Sequence, residues 1–234
     1  MKPVRLVALL VVLAGALAVA SPAGGANECD GLMVCIPVEG PWVVVPTSGA
    51  LPRPHVEYQL TCPRGHVVGG LDARLSDRAV DVAFLGTLGS PVNPGISTSR
   101  SVVFVATYVG ASARTPTFKP FIGCMPAAGG GSRVPTSATA FRPGKPTIRR
   151  VRTVRVRPGE ATVAQRCLSS ERLVGASHAL AFATRTPPSV SLVGGLSSSQ
   201  SVRGREVVVK VRADAELAGV RAVVQVHAVC AVTA

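Results

Sequence analysis

The sequence predicts an all-β protein built from two tandem antiparallel β-sandwich-like modules, each closed by a disulfide. Its apolar residues are mainly valine, alanine and leucine, and aromatic residues make up only 4%. Valine is β-branched and packs better on a pleated sheet than in a helix. The 24 glycines and 19 prolines are scattered along the whole chain, which is typical of many short strands separated by turns. We therefore expect helices to be rare.

A self-similar stretch supports the division into two modules. The stretch that begins at Cys62 and ends at Cys124 recurs about 106 positions later and ends at Cys230. The aligned segments are VVGG at 67–70 with LVGA at 173–176, and VVFV at 102–105 with VVKV at 208–211. Only the opening cysteine of the second copy, Cys167, lies one position out of step. The shared offset holds from Val67 to Cys124, so one inserted residue is expected near Cys167. Such a fixed offset indicates a duplicated module.

Apolar residues alternate with polar ones inside the modules. In the second copy, Val207, Val209 and Val211 share one side of a segment, while Lys210 and Arg212 lie on the other. This pattern predicts half-buried antiparallel strands with one solvated face. The last segment alternates in the same way, with Gln225 and His227 opposite a valine and alanine face that includes Cys230. The first-copy segment 102–108 is apolar on both sides, which predicts cover by the other module.

Residues 1–20 have the layout of a secretory signal peptide. Lys2 and Arg5 precede an apolar run at 6–13, and small residues at 18–20 predict cleavage before Ser21. The run is short for a bilayer, although an uncleaved anchor is the alternative interpretation. We expect a secreted, extracellular or envelope-associated protein with no membrane span after signal cleavage.

An exported chain with six cysteines is expected to form disulfides. If each module folds as a unit, Cys62 pairs with Cys124 and Cys167 with Cys230. This leaves Cys29 to pair with Cys35 across a short loop. Zinc is the competing interpretation, but the chain has no Cys-x-x-Cys or His-x-x-x-His pair. We therefore predict no metal site and no cofactor.

These features predict five segments along the chain. The signal peptide at 1–20 precedes an N-terminal cap at 21–41 that carries the small disulfide loop. The first β module covers 42–126 and the second, basic module covers 147–234. Between them, residues 127–146 are rich in glycine, proline and serine, which is typical of a flexible linker.

Positive charge is concentrated in the second half. Residues 27–132 hold seven basic and seven acidic residues, whereas residues 133–234 hold sixteen basic and five acidic ones. The candidate anion-binding residues are Arg149, Arg150, Arg152, Arg155 and Arg157. Arginine suits bidentate contacts with phosphate or sulfate, so an anionic cell-envelope polymer is the expected partner. The alternative is a charged edge strand that resists aggregation. Specific nucleic-acid recognition is not expected, and the sequence leaves the oligomeric state open.

No residue is assigned a catalytic role. The four histidines are dispersed, and the segment 175–179 lacks the final glycine of a Gly-x-Ser-x-Gly elbow. The sequence favours an exported, non-enzymatic binding or structural protein, and a secreted hydrolase with an unrecognised site is the alternative. Ser177 and His178 meeting an acidic residue in one cleft would favour the hydrolase.

Three short motifs carry a resemblance to a known kind of module. They are Cys-Pro-Arg-Gly at 62–65, Val-Val-Gly-Gly at 67–70 and Val-Cys-Ala at 229–231. The chain resembles, over residues 42–234, a Cys-bracketed module of uncharacterised secreted actinobacterial proteins. The second copy lacks the proline and glycine at 168–170, and the first closes with Gly-Cys-Met at 123–125. The resemblance implies an exported β-sandwich-like module and transfers no catalytic residue.

Overall fold

The computed structural model describes residues 28–32, 34–48, 51–85, 100–110, 115–127 and 147–232. These residues form thirteen β-strands, one short α-helix and one 3-10 turn, which confirms the all-β prediction. None of the helical segments in this part of the chain is long and apolar enough to cross a membrane. The predicted signal peptide at 1–20, and nearly all of the linker predicted at 127–146, lie outside the described residues.

The strands fall into two sets of similar length and order. The first set comprises β1 (Ile36–Glu39), β2 (Trp42–Val44), β3 (His55–Thr61), β4 (His66–Leu75), β5 (Val80–Leu85), β6 (Ser101–Tyr108) and β7 (Thr117–Pro126). The second set comprises β8 (Thr147–Val156), β9 (Gly159–Arg166), β10 (Glu171–Phe182), β11 (Leu196–Arg203), β12 (Glu206–Ala213) and β13 (Ala222–Val232). Helix α1 (Val190–Gly194) precedes β11, and the 3-10 turn (Ala215–Leu217) follows β12.

Both sets pair in the same antiparallel order. In the second set β13 lies between β10 and β8, and β12 lies between β11 and β9. In the first set β7 lies between β4 and the end-to-end strands β1 and β2, and β6 lies between β5 and β3. In each set we call the strands around β7 or β13 the larger sheet, and the three strands that include β6 or β12 the smaller sheet.

The two larger sheets join into one. Trp42 and Val43 of β2 pair with Phe182 and Ala181 of β10, which creates a single seven-stranded sheet. Strand β1 belongs to this sheet, so the segment expected to be only an N-terminal cap also supplies an edge of the first module. The modules therefore share backbone hydrogen bonds.

The register places the length difference between the copies at a different point from the one expected. Val68 pairs with Cys124 and Leu173 pairs with Cys230, and each pair is followed by a bulge. Val68 and Leu173 therefore occupy equivalent places, and they are 105 positions apart, as are Cys62 and Cys167. The pairings of β6 and β12 keep this offset, because Ser101 pairs with Thr61 as Glu206 pairs with Arg166. The extra residue thus lies between β12 and β13 and does not follow Cys167.

All three predicted disulfides are present. Cys62–Cys124 and Cys167–Cys230 have Cα separations of 5.7 and 5.6 Å, and Cys29–Cys35 has 5.7 Å. The first two each connect the residue that follows a strand of the smaller sheet to the inner face of the larger sheet. Each module is therefore closed across its core, as the sequence indicated.

Burial confirms the alternation predicted for β12 but shows that the solvated face predicted for β13 is wrong. On β12, Lys210 and Arg212 are exposed and the intervening valines are buried, as predicted. On β13, Gln225 and His227 were expected on a solvated face, but they are 3% and 0% exposed. This face is covered because β3 of the first module lies against it. Val103 of β6 pairs with Gln59 of β3, so its side chain lies on the same face of the smaller sheet as that of Gln59. It is only 7% exposed, so this face of the first module is also covered at that point.

Candidate functional site

Polar side chains from both modules meet where β3 lies over β8, β10 and β13. We call them the junction cluster. Its members are the side chains of Glu57, Arg149, Ser177, Gln225 and His227, together with the backbone of Gln59. Residues at alternate positions of these strands point to one side, so each strand brings its polar residues to the same interface.

Glu57 is the acceptor at the centre of the cluster. Its Oε2 accepts hydrogen bonds from Arg149 Nη1 at 2.6 Å and from Ser177 Oγ at 2.5 Å. The Glu57 and Arg149 side chains are 13% and 19% exposed. Burial tends to raise the pKa of Glu57, but the hydrogen bonds from Arg149 and Ser177 and the arginine charge hold it below its usual range. Glu57 is therefore an ion-paired carboxylate and a weak base.

His227 is held in its neutral form. Arg149 Nη1 donates to its Nδ1 at 2.9 Å, and its Nε2 donates to Gln225 Oε1 at 2.7 Å. Only a ring with its proton on Nε2 satisfies both neighbours. Burial and the positive charge of Arg149 lower the pKa of His227 to about 4. Both ring nitrogens are thus engaged by the protein.

Gln225 extends the hydrogen bonding of β13 to the backbone of β3. Its Oε1 accepts from the Gln59 amide at 2.6 Å, and its Nε2 donates to the Gln59 carbonyl at 3.2 Å. The same Nε2 donates to Thr153 Oγ1 at 3.0 Å. The cluster satisfies buried polar groups on both sides of the interface, so its evident role is to fix one module on the other.

Ser177 and His178 do not form a nucleophile and base pair. They lie on opposite faces of β10: Ser177 donates to Glu57, while the ring of His178 lies 2.9 Å from Gln200 Oε1 and 2.8 Å from Ser198 Oγ. An activated serine needs a free base within hydrogen-bond reach, and Glu57 is already paired with Arg149. This arrangement gives the hydrolase interpretation no support.

Four of the candidate arginines lie on one edge strand and Arg157 directly follows it, and the five divide into two groups. Strand β8 is the last strand of the seven-stranded sheet, as the charge pattern suggested. Arg149 pairs with Glu57, and Arg150 pairs with Glu171 through contacts of 2.7 and 3.1 Å. The others are exposed and, within the described part of the chain, pair with no carboxylate. They are Arg152, Arg155 and Arg157, which we call the exposed arginines.

Glu171 also lies beside the second-module disulfide. Its carboxylate and the sulfur atoms of Cys167 and Cys230 lie within 4.8 Å of one another. The sulfur atoms are bonded to each other, so they are not available as thiolate ligands. The carboxylate instead accepts from Arg150 and, at 2.8 Å, from the Leu168 amide.

The comparisons add no relative. No protein-family model, curated protein or solved structure matches this chain. The resemblance to secreted actinobacterial modules therefore stays a prediction. The sequence pointed to the arginines of β8 but missed the partners of Arg149 and Arg150. Glu57 and Glu171 are 92 and 21 positions away from them, and no local pattern connects such pairs.

Proposed function

We propose that this is an exported, non-enzymatic binding protein that holds an anionic polymer on the exposed arginines of its second module. Three disulfides point to an oxidising compartment. The signal-peptide pattern at 1–20 supports export to the envelope or the extracellular space. The strand order shared by the two halves supports a duplication in which only the second copy became strongly basic.

The observation that carries this proposal is the division of the arginines on β8 and directly after it. Arg149 and Arg150 are neutralised by carboxylates within the fold. Arg152 donates only to the Ala164 carbonyl at 3.3 Å, and Arg155 and Arg157 have no partner among the described residues. Three uncompensated guanidinium groups at a sheet edge attract phosphate or sulfate groups of a polymer without reading its sequence.

Retention on an immobilised anionic polymer, heparin or teichoic acid, tests the proposal. The mature chain is used intact because β2 of one module pairs with β10 of the other. We expect Arg152→Ser/Arg155→Ser/Arg157→Ser to elute at clearly lower salt than the parent. Removing about three contacts should flatten the dependence of the logarithm of affinity on the logarithm of salt by about 2 to 3.

A matched control distinguishes binding by the exposed arginines from a general effect of the protein's net charge. Arg53→Ser/Arg64→Ser/Arg78→Ser removes three exposed charges from the first module. This control should be retained almost as strongly as the parent. Equal weakening of both triple variants, or no retention of the parent at low salt, would contradict the proposal.

A further inference from the structure

A cleft of about 410 Å³ lies at the junction of the modules, apart from the junction cluster. It is bordered by β1, β3 and β7 of the first module and by β8 and the ends of β10 and β13 of the second. Clefts between packed units are common places for ligands. The side chains that matter for its chemistry are Glu39, Tyr58, Lys119, Thr153, Arg185 and Arg221.

Tyr58, on β3, borders this cleft. The residue is 5% exposed and its ring packs in the first core, yet its hydroxyl has no hydrogen-bond partner among the described residues. Burial raises the pKa of Tyr58 to about 12, and the charge of Arg221 acts in the opposite direction. The group is therefore a protonated donor near neutral pH, close enough to Arg221 to interact with its charge. A ligand in the cleft can therefore accept a hydrogen bond from this hydroxyl.

The lining of the cleft carries excess positive charge. Lys119 forms an ion pair with Glu39, so these two charges offset each other. Arg185 and Arg221 are exposed and have no carboxylate partner in the part of the chain that is described. Thr153 Oγ1 accepts from Gln225, which leaves the hydroxyl proton of Thr153 free to donate. Two guanidinium groups and two hydroxyl donors therefore border the same cleft.

We propose that this cleft binds a single tetrahedral oxyanion, a phosphate or sulfate group. Arg185 and Arg221 supply the charge, and the hydroxyls of Tyr58 and Thr153 donate to the remaining oxygens. A tetrahedral oxyanion offers several acceptor oxygens and pairs with guanidinium in bidentate fashion. This inference extends the proposed function, since the group can be part of the same polymer or a free ion, but it involves none of the exposed arginines.

Tyr58→Phe is the most direct test, because it removes one hydroxyl that no described residue contacts. Binding of inorganic phosphate and of inorganic sulfate to the intact mature chain is measured by isothermal titration calorimetry at low salt. We expect at least one of the two anions to bind. Tyr58→Phe should weaken that binding about ten-fold, because a hydrogen bond to a charged group is lost. The midpoint of thermal unfolding should stay that of the parent.

Two control variants make the result specific. Tyr108→Phe removes a hydroxyl that lies 3.3 Å from Asp77 Oδ2, so it should lower the unfolding midpoint and leave anion binding unchanged. Arg221→Gln should weaken anion binding, whereas Arg203→Gln, at an exposed position on β11, should not. Parent-like anion affinity in both Tyr58→Phe and Arg221→Gln would overturn the inference, as would no binding of either anion by the parent.

Polymer retention then identifies the source of the oxyanion. If the polymer places a phosphate or sulfate group in the cleft, Tyr58→Phe elutes at lower salt and the free anion competes with the polymer. If the ligand is a free ion, retention of Tyr58→Phe equals that of the parent while its anion affinity is still reduced. Failure of the triple variant of the exposed arginines to change retention bears on the proposed function alone, because those arginines are outside this inference.

Discussion

The outer faces of the two larger sheets occupy equivalent places in their modules, but they are covered in different ways. Lys119 and Phe121 of β7 correspond in register to Gln225 and His227 of β13. In the first module, Lys119 Nζ lies 5.8 Å from the ring centroids of both Trp42 and Phe121. In the second module, the Gln225 amide contacts the backbone of β3, and the neutral His227 ring contacts Arg149. The first face stacks cations on aromatic rings, and the second binds another module.

The two modules also differ at the other end of these strands, where the first module has glycines on β4 and β7. A Cβ at Gly70 or Gly123 would overlap the carbonyl oxygen of Glu28, so the N-terminal disulfide loop can lie against the first sheet only where side chains are absent. In the second module Gly123 is replaced by Val229, whose side chain occupies that space. One strand arrangement therefore accepts two different covers, and the outward-facing residues select between them.

The largest expected effect concerns the two core disulfides. Their sequence separations are 62 and 63 residues, so loop-closure entropy assigns each about 4 kcal/mol. We expect Cys62→Ala/Cys124→Ala and Cys167→Ala/Cys230→Ala to lower the free energy of unfolding in urea by similar amounts. A difference of more than about half of this value would mean that the surroundings of each bridge, not its loop length, determine its contribution.

The next effect is a pH dependence specific to the second module. The pKa of His227 is lower in the folded protein, about 4, than in the unfolded chain, about 6.5. The unfolded state therefore binds the extra proton, and stability decreases as the pH falls from about 6.5 to 4, by about 3 kcal/mol in total. The lowered pKa of Glu57 adds a further loss as the pH falls below its usual value of 4.5.

Replacing His227 by the residue at the equivalent place in the first module tests this assignment. In His227→Phe the free energy of unfolding should change less between pH 6.5 and 4 than in the parent, whatever its absolute value. His55→Phe, at an exposed position, should keep the slope of the parent. A slope in His227→Phe equal to that of the parent would mean that other groups control the acid sensitivity.

The smallest effect compares glycines at matching bulges. Gly70→Ala should displace the N-terminal loop, because the new methyl group would overlap the carbonyl group of Glu28. We expect faster reduction of Cys29–Cys35 by a thiol and a loss of about 1 kcal/mol in stability. In Gly175→Ala the new methyl lies 3.3 Å from Val229 Cβ, so a smaller loss is expected. Equal reduction rates of this disulfide in the parent and Gly70→Ala would show that the loop does not depend on that contact.

Local sequence features predicted the elements and bridges of this protein. Alternation placed Val207, Val209 and Val211 on a core face, and burial confirms it because side-chain direction in a strand follows a period of two. The spacing of the six cysteines gave the disulfides once each module was taken as a unit. The run of arginines indicated an edge strand, because charge on both faces is tolerated best at the exposed edge of a sheet.

Which groups meet across the molecule was decided by the tertiary structure alone. The polar face of β13 looked solvated because its sequence cannot reveal that β3, some 166 residues earlier, covers it. For the same reason Glu57 and Glu171 neutralise two of five similar arginines, while the other three pair with no carboxylate among the described residues. The period of a strand determines the direction of a side chain, but its partner depends on how distant strands pack. The sequence by itself therefore determined the strands, the bridges and the excess of charge, and packing decided which charges remain free.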